Sequence, residues 1–211
     1  MMLDDLCKVV PQVCVVSLSG NHPRRSTKID WKAPQENFDY LTAMYARMQL
    51  REHIKSGRMT FLVPDAWSTC VNVKGYNFVL SHGHQCRQNS LGLPYYGLER
   101  RSRRLISLGA VKNIVYHYFV QGHQHTKATI EHPTGEMILN GAWPATDEMV
   151  FEDKAGVNTP SQLLFGIHSS YGATWRLPIN LRVPDWEKIE RKDPKRYIIS
   201  DIRDSEEEAL I

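Results

Sequence analysis

The stretch Gly122-His123-Gln124-His125 follows the apolar residues 114–120 (IVYHYFV), and the fold can be predicted outward from it. The apolar residues indicate a buried strand. Two imidazoles one residue apart on an extended backbone would point to the same side. Gly122 allows a sharp turn at the strand end, where open α/β sheets usually place their ligand sites. The stretch therefore predicts an α/β sheet with a functional site at its edge.

Two further stretches repeat this arrangement. Residues 13–19 lead into Gly20-Asn21-His22, and residues 77–81 lead into His82-Gly83-His84. In each case an apolar strand ends in histidine or asparagine beside glycine. Isolated core or surface imidazoles would explain any one of these positions, but three matching strand ends favour a shared site.

The composition excludes several classes of protein. With 211 residues, of which 42% are hydrophobic and 23% charged, we expect one globular domain. No apolar run approaches the roughly 20 residues of a membrane helix, and no signal pattern opens the chain, so we expect a cytoplasmic protein without a membrane partner. The net charge of +3 is too small to indicate a nucleic-acid partner by itself. The four cysteines lack the C-x-x-C spacing of zinc knuckles.

Hydrophobic periodicity predicts alternating strands and helices, followed by an antiparallel back half. Strands are expected at 13–18, 58–63, 66–73, 77–81 and 114–120, helices at 1–10, 37–56 and within 91–108, and hairpins at 126–139 and 162–179. The helix over 37–56 has apolar residues at three-to-four spacing, and we expect this stripe in the core. Its members are Phe38, Leu41, Met44, Tyr45, Met48 and Ile54.

In order and approximate separation, the three strand-end stretches resemble the third, fourth and fifth sequence blocks of the calcineurin-like metallophosphoesterases. The resemblance covers about residues 5–145. It implies the α/β (α+β) class, as a four-layer α/β/β/α sandwich with a two-metal site. The implied activity is hydrolysis of phosphodiesters, nucleic acid included, or of phosphomonoesters. Imidazole and amide donors suit manganese, iron or zinc better than calcium, and magnesium is a further ion that the resemblance allows.

The resemblance also implies a role for each residue by position. Asn21, His82 and His123 would ligate one metal, and His125 would ligate the other. His22 would stand near the leaving-group oxygen as proton donor or charge stabiliser.

Substrate contacts are expected next to these ligands. Arg24 and Arg25 directly follow His22 and could meet a phosphodiester backbone. His84 either orients His82 or the substrate, or is a structural residue at a strand end. The arginine-rich segment 100–104 is either a second phosphate-binding stripe or a solvated helix face.

Two departures from the family pattern limit what the chain can do alone. The opening Asp-x-His and Gly-Asp-x-x-Asp blocks, which supply the bridging carboxylate, are absent from this sequence, and Asp4 and Asp5 lie on an expected helix. Pro23 stands where an acid usually follows His22. We therefore expect a domain over residues 1–184 that lacks its first strands, and a charged tail over 185–211. Further N-terminal residues, a complementing chain or a homo-oligomer would complete the site.

An alternative class is a non-catalytic structural or binding subunit that retains the fold. A nucleotide-binding α/β domain is disfavoured, because the sequence has no G-x-x-x-x-G-K-[ST] loop.

Overall fold

The computed structural model describes residues 2–28, 31, 33–86, 93–144 and 159–181, which form a mixed α/β fold around a five-stranded sheet. This confirms the predicted α/β class. The elements are α1 (Met2–Val9), β1 (Val13–Val16), α2 (Phe38–Gln49), α3 (Arg51–Lys55), β2 (Met59–Leu62), β3 (Ser68–Val73), β4 (Tyr76–Ser81), α4 (Tyr95–Val111), β5 (Tyr118–Gln121), β6 (Ala128–His132), β7 (Gly135–Leu139), β8 (Ser161–His168) and β9 (Gly172–Asn180).

The five-stranded sheet has the order β3-β4-β5-β7-β6. Its three central strands are parallel, whereas β3 and β6 are antiparallel edge strands. Helix α4 connects β4 to β5, because parallel neighbours need a crossover connection. Ser81 pairs with Gln121, so both strands end at the same edge of the sheet. The next residues continue the pairing: the backbone N–H of Gly122 donates to the carbonyl of His82 at 3.1 Å.

Both faces of this sheet are covered. On one face α4 inserts Leu98, which packs with Phe119 and Leu139 in a fully buried cluster. On the other face the β8–β9 hairpin packs Phe165 and its neighbours against Phe78 and Tyr118. The sheet is therefore a middle layer between a helix and a hairpin, and its strand-end loops open at a rim.

The N-terminal part forms a smaller layer of its own. β1 pairs in parallel with β2 over four residues, with Val13 opposite Met59. Cys7, Ala43 and Leu50 from the helices pack onto this pair. Within the described ranges no third strand joins it. The lone strand that the sequence predicts at 13–18 thus has a neighbour at one of its two edges.

The prediction for residues 37–56 was wrong in two respects. The segment forms two helices that divide at Leu50, not one. The predicted core stripe is also largely solvent-exposed: four of its members are between 56% and 64% exposed, namely Phe38, Leu41, Tyr45 and Met48. Ile54 does pack against the core as predicted, but the other contacts of these helices with the core include Ala43, Ala46 and Leu50. Periodicity located an apolar face but not the face that packs against the β1–β2 pair.

Other predicted elements need smaller corrections. The strand expected from residue 114 begins at Tyr118, because the N–H of Ile114 bonds back to the carbonyl of Gly109 at the end of α4. The predicted charged tail over 185–211 lies outside the described residues. None of the helices in the described ranges is long and apolar enough to cross a membrane.

Truncation of the α4 core residue should destabilise the fold. Leu98 is 0% exposed, so Leu98→Ala leaves a cavity and should lower the free energy of unfolding by about 2–5 kcal/mol. Leu108 lies on the same helix and is 59% exposed, so Leu108→Ala is the matched control and should change it by less than about 0.5 kcal/mol. Urea denaturation measures both values. Equal effects would contradict the packing described for α4.

Candidate functional site

Three strand-end loops meet at the rim of the sheet. Asn21 Oδ1 lies 2.9 Å from His82 Nε2, and His123 Nδ1 lies 3.2 Å from that same nitrogen. A neutral imidazole nitrogen carries either one hydrogen or one lone pair, so His82 Nε2 cannot make a strong hydrogen bond to both neighbours at once. The structure thus brings together three of the four expected metal ligands, and we call Asn21, His82 and His123 the donor triad.

The two histidines after β5 are placed by a turn and not by extended alternation, which corrects the sequence argument. His123 and His125 both have positive φ, at 62° and 53°. The N–H of Gln124 closes the turn by bonding to the carbonyl of Gly122 at 2.7 Å. Left-handed backbone costs a residue with a Cβ roughly 1–2 kcal/mol, and such strain concentrates at functional sites. The fold therefore uses strained backbone to hold these imidazoles.

The loop carrying Asn21 is held by the N-terminus of α2. Asn37 is 1% exposed, and its amide Nδ2 donates to the carbonyl of Gly20 at 2.9 Å. The Asp39 carboxylate accepts the Gly20 N–H at 2.8 Å. A Cβ on Gly20 would lie 3.1 Å from Asp39 Oδ2 and 3.3 Å from His82 Cε1, so this carboxylate lies near the donor triad. We call these contacts of Asn37 and Asp39 with Gly20 the α2 clamp.

Burial keeps the central imidazoles neutral. It lowers the pKa of His82 to about 4, with smaller contributions from the nearby imidazoles of His84, His22 and His125. Burial likewise lowers the pKa of His84 to about 4, assisted by His123 and Arg101. At neutral pH both rings are uncharged, which is the form that ligates metal ions.

His22 and His125 lie close enough to His82 to lower its pKa, but their contacts with the donor triad are weaker. In the described part of the chain neither forms a hydrogen bond to Asn21 or His82. His22 is exposed at the surface of its loop, and His125 is half-buried. The structure places both histidines around the donor triad rather than within it.

His84 lies in an aromatic cluster that the sequence did not predict. Its ring stacks on Trp31 with centroids 5.3 Å apart and meets the edge of Trp67 at 5.2 Å. Both of its ring nitrogens are buried and have no hydrogen-bond partner among the described residues. The ring centroid of His82 is 5.5 Å away. The tryptophans come from separate loops, and nothing in their local sequence indicates that they meet.

Arg24 and Arg25 line a groove beside the donor triad. The groove has a volume of about 260 Å³ and also contains Glu36 and Trp67. The Arg24 guanidinium is tied to the chain, because it donates to the carbonyls of Asn21 and Thr27. Arg25 is exposed, and within the described residues it forms a 3.7 Å ion pair with Glu36. Arg25 is therefore the more available of the two for an anionic ligand.

The arginines of α4 do not act as one stripe. Arg103 pairs with Glu99 at 2.7 Å. Arg100, Arg101 and Arg104 line a larger cavity of about 890 Å³ on the side near Cys86. The arginines of segment 100–104 thus have different surroundings, and a phosphate-binding role for them stays a prediction.

The distances from His82 Nε2 to the other two donor atoms, 2.9 and 3.2 Å, lie near those between ligands of one transition-metal ion. Donors about 2.1 Å from an ion lie about 3.0 Å apart at right angles and about 3.4 Å apart in a tetrahedron. Two neutral imidazoles and one amide oxygen suit manganese, iron or zinc. Among the described residues no three His, Cys, Asp or Glu side chains converge as a ligand group. The anionic ligands expected for a two-metal site are therefore not assembled in this part of the chain.

Comparisons with known proteins find solved structures that are similar to this chain at low sequence identity. No protein-family model matches the chain, and no curated protein matches it. Among solved structures, a double mutant of Vps29 from Entamoeba histolytica is similar with a TM-score of 0.45 and 16% identity, over 86% of this chain and 88% of that one. Wild-type Vps29 from the same organism, complexed with Zn²⁺, is similar with a TM-score of 0.40 and 15% identity. The match covers 80% of this chain and 99% of that one. An archaeal phosphodiesterase is similar with a TM-score of 0.32 and 16% identity, over 64% of this chain and 62% of that one.

The buried neutral histidines predict that stability falls in acid. An unfolded histidine binds its proton near pH 6.5, whereas His82 and His84 bind theirs near pH 4 when folded. Between these values the unfolded state binds more protons, so the free energy of unfolding decreases as the pH is lowered. His84→Phe keeps a planar ring on Trp31 but cannot titrate. Its urea midpoint should fall less than that of the wild type between about pH 7 and about pH 5. Equal decreases in the urea midpoint of the two proteins would show that His84 does not contribute to the loss of stability in acid.

The strained turn predicts an unusual ranking of substitutions at His125. His125→Gly and His125→Ala both remove the imidazole, but only alanine retains a Cβ in left-handed backbone. The glycine variant should therefore be the more stable by about 1 kcal/mol. Urea denaturation measures the difference. An alanine variant at least as stable as the glycine variant would mean that the turn relaxes freely.

Proposed function

We propose that this chain is a cytoplasmic metal-dependent phosphoesterase, or the larger part of one. Its preferred substrates are phosphodiesters, with phosphomonoesters as the alternative. Asn21, His82 and His123 hold a divalent transition ion such as manganese, iron or zinc. The observation that carries the proposal is the convergence of Asn21 Oδ1 and His123 Nδ1 on His82 Nε2 at 2.9 and 3.2 Å.

The neutral state of His82 supports this assignment. Burial lowers the pKa of His82 to about 4, so a lone pair is available at neutral pH without prior loss of a proton. A bound ion of this kind lowers the pKa of its water and offsets the charge on phosphoryl oxygens. The α2 clamp holds the Asn21 loop, and the turn after β5 holds His123, so both donors are in position before any ligand arrives.

The surrounding residues have proposed roles in handling the substrate. Exposed His22 donates a proton to the departing alkoxide, or stabilises its charge, because an imidazole can act as a general acid. Arg25 contacts a phosphate. Arg24 orients the Asn21 loop by donating a hydrogen bond to the carbonyl of Asn21. His84 packs behind His82 and fixes the position of its ring.

A second ion belongs to the complete site in this proposal. His125 would be one of its ligands, and carboxylates from further N-terminal residues, a partner chain or a second copy would supply the rest. Asp39 is the acid that the structure places near the donor triad, but its Oδ2 already accepts the Gly20 N–H. A complementing acid is therefore the main requirement for hydrolysis.

A non-catalytic subunit is the second candidate, and one observation favours it. The apolar stripe on α2 formed by Phe38, Leu41, Tyr45 and Met48 is exposed, and exposed apolar patches mark interaction surfaces. A structural or binding subunit would use this stripe to join an assembly and would need no carboxylates at the donor triad. Metal binding and hydrolysis separate the two candidates.

The test is the metal affinity and hydrolytic activity of the full chain. After treatment with a chelator, the protein is titrated with Mn²⁺ or Zn²⁺ by calorimetry and assayed on an aryl phosphodiester. His123→Ala removes a donor and should weaken binding at least tenfold, with loss of any hydrolysis. His168 lies on the distant β8–β9 hairpin, so His168→Ala is the matched control and should leave both unchanged.

Each outcome decides between the candidates. Metal binding that depends on His123, with hydrolysis, supports the enzyme. Metal binding without hydrolysis supports the donor triad but requires a complementing chain, whose addition should restore activity. A folded wild type that binds neither ion, with or without inorganic phosphate present, contradicts the metal site and favours the structural subunit.

A further inference from the structure

Trp31 and Trp67 form an aromatic platform next to the donor triad. Their ring centroids are 5.9 Å apart at an interplanar angle of 66°. The indole N–H of Trp67 donates to the backbone carbonyl of Trp31 at 3.0 Å, which ties the Trp67 ring to the main chain of Trp31. His84 stacks on Trp31 and touches the edge of Trp67. The platform and the His84 ring therefore form one cluster of three rings from three separate loops.

The platform offers surface for a further ring. Trp31 is 54% exposed although it stacks on His84, so much of its indole surface faces solvent. Trp67 forms part of the wall of the 260 Å³ groove that also contains Arg24 and Arg25. The Trp31 ring lies 5.9 Å from the Trp67 ring, so a planar group on the exposed face of Trp31 would lie beside this groove, while His84 contacts both the platform and His82.

The charges in the groove suit a phosphate. Arg24 and Arg25 outnumber the single carboxylate of Glu36 among the lining residues. The Arg25 to Glu36 pair is long, at 3.7 Å, and exposed. Ion pairs of this kind contribute little stability, so a phosphate can compete with Glu36 for the guanidinium. The groove therefore combines an anion site with an aromatic wall.

We propose that the platform of Trp31 and Trp67 stacks a nucleobase while Arg25 contacts the adjoining phosphate, so that the substrate is a single-stranded nucleic acid. The inference rests on the proposed phosphodiesterase function and names its substrate class. A stacked base must be free of its duplex partner, which selects single strands. Stacking on indole tolerates any base, so we expect little sequence preference.

The test compares two oligomers that differ only in their bases. Octathymidylate and an abasic octamer of the same backbone carry equal phosphate charge. Both are titrated into the full chain in the presence of a chelator, so that binding does not depend on the proposed metal. The wild type should bind octathymidylate about tenfold more tightly than the abasic octamer.

Substitutions assign the two contributions. Trp31→Ala should remove the preference for octathymidylate and leave the affinity for the abasic octamer unchanged, and Trp31→Phe should restore most of the preference. Trp175 is similarly exposed, at 51%, but lies on β9, so Trp175→Ala is the matched control and should change neither affinity. Arg25→Ala should weaken both oligomers and reduce the salt dependence of binding, because it removes a phosphate contact.

The outcomes separate this inference from the proposed function. Equal affinity for the two oligomers in the wild type, or an unchanged preference in Trp31→Ala, overturns the inference while metal binding by the donor triad stands. If the preference for octathymidylate is lost in Trp31→Ala and the wild type binds no metal, the stacking platform is supported and the proposed hydrolase function is contradicted. Duplex DNA bound as tightly as octathymidylate would contradict base stacking.

Discussion

The parallel pairing of β4 with β5 is the constraint on which the site depends. Ser81 is opposite Gln121, and the N–H of Gly122 extends the pairing to the carbonyl of His82. A shift of one residue in this register would turn every following side chain to the other face of the sheet. The register therefore brings the two loops into contact, and α4 maintains it by covering one face through Leu98.

The location of the candidate site could be predicted from the sequence, but its internal geometry could not. Apolar runs ending in histidine or asparagine beside glycine indicate strand ends, and Asn21, His82 and His123 do converge. The left-handed turn after β5 was not predicted, because an extended backbone explains the same spacing of two histidines. The contribution of Asp39 was also missed, since its hydrogen bond to Gly20 spans 19 residues and leaves no local pattern.

Helix α2 shows a second limit of sequence patterns. Three-to-four spacing identifies an apolar face on a helix, but it does not say whether that face meets the rest of the chain or another surface. Here small residues, Ala43 and Ala46, let the helix approach the β1–β2 pair, and the large apolar side chains point outward. The same helix supplies the α2 clamp through Asn37 and Asp39. An exposed face and a site loop thus belong to one rigid element.

The neutrality of the donor triad has a consequence for how ions would behave there. Carboxylate ligands cancel part of a cation's charge, whereas two imidazoles and an amide cancel none of it. An ion on these three atoms would keep its full double charge at a half-buried rim, with arginines nearby. Such an ion would be held more weakly alone than together with a counter-anion, so cation and anion would bind cooperatively, each raising the occupancy of the other.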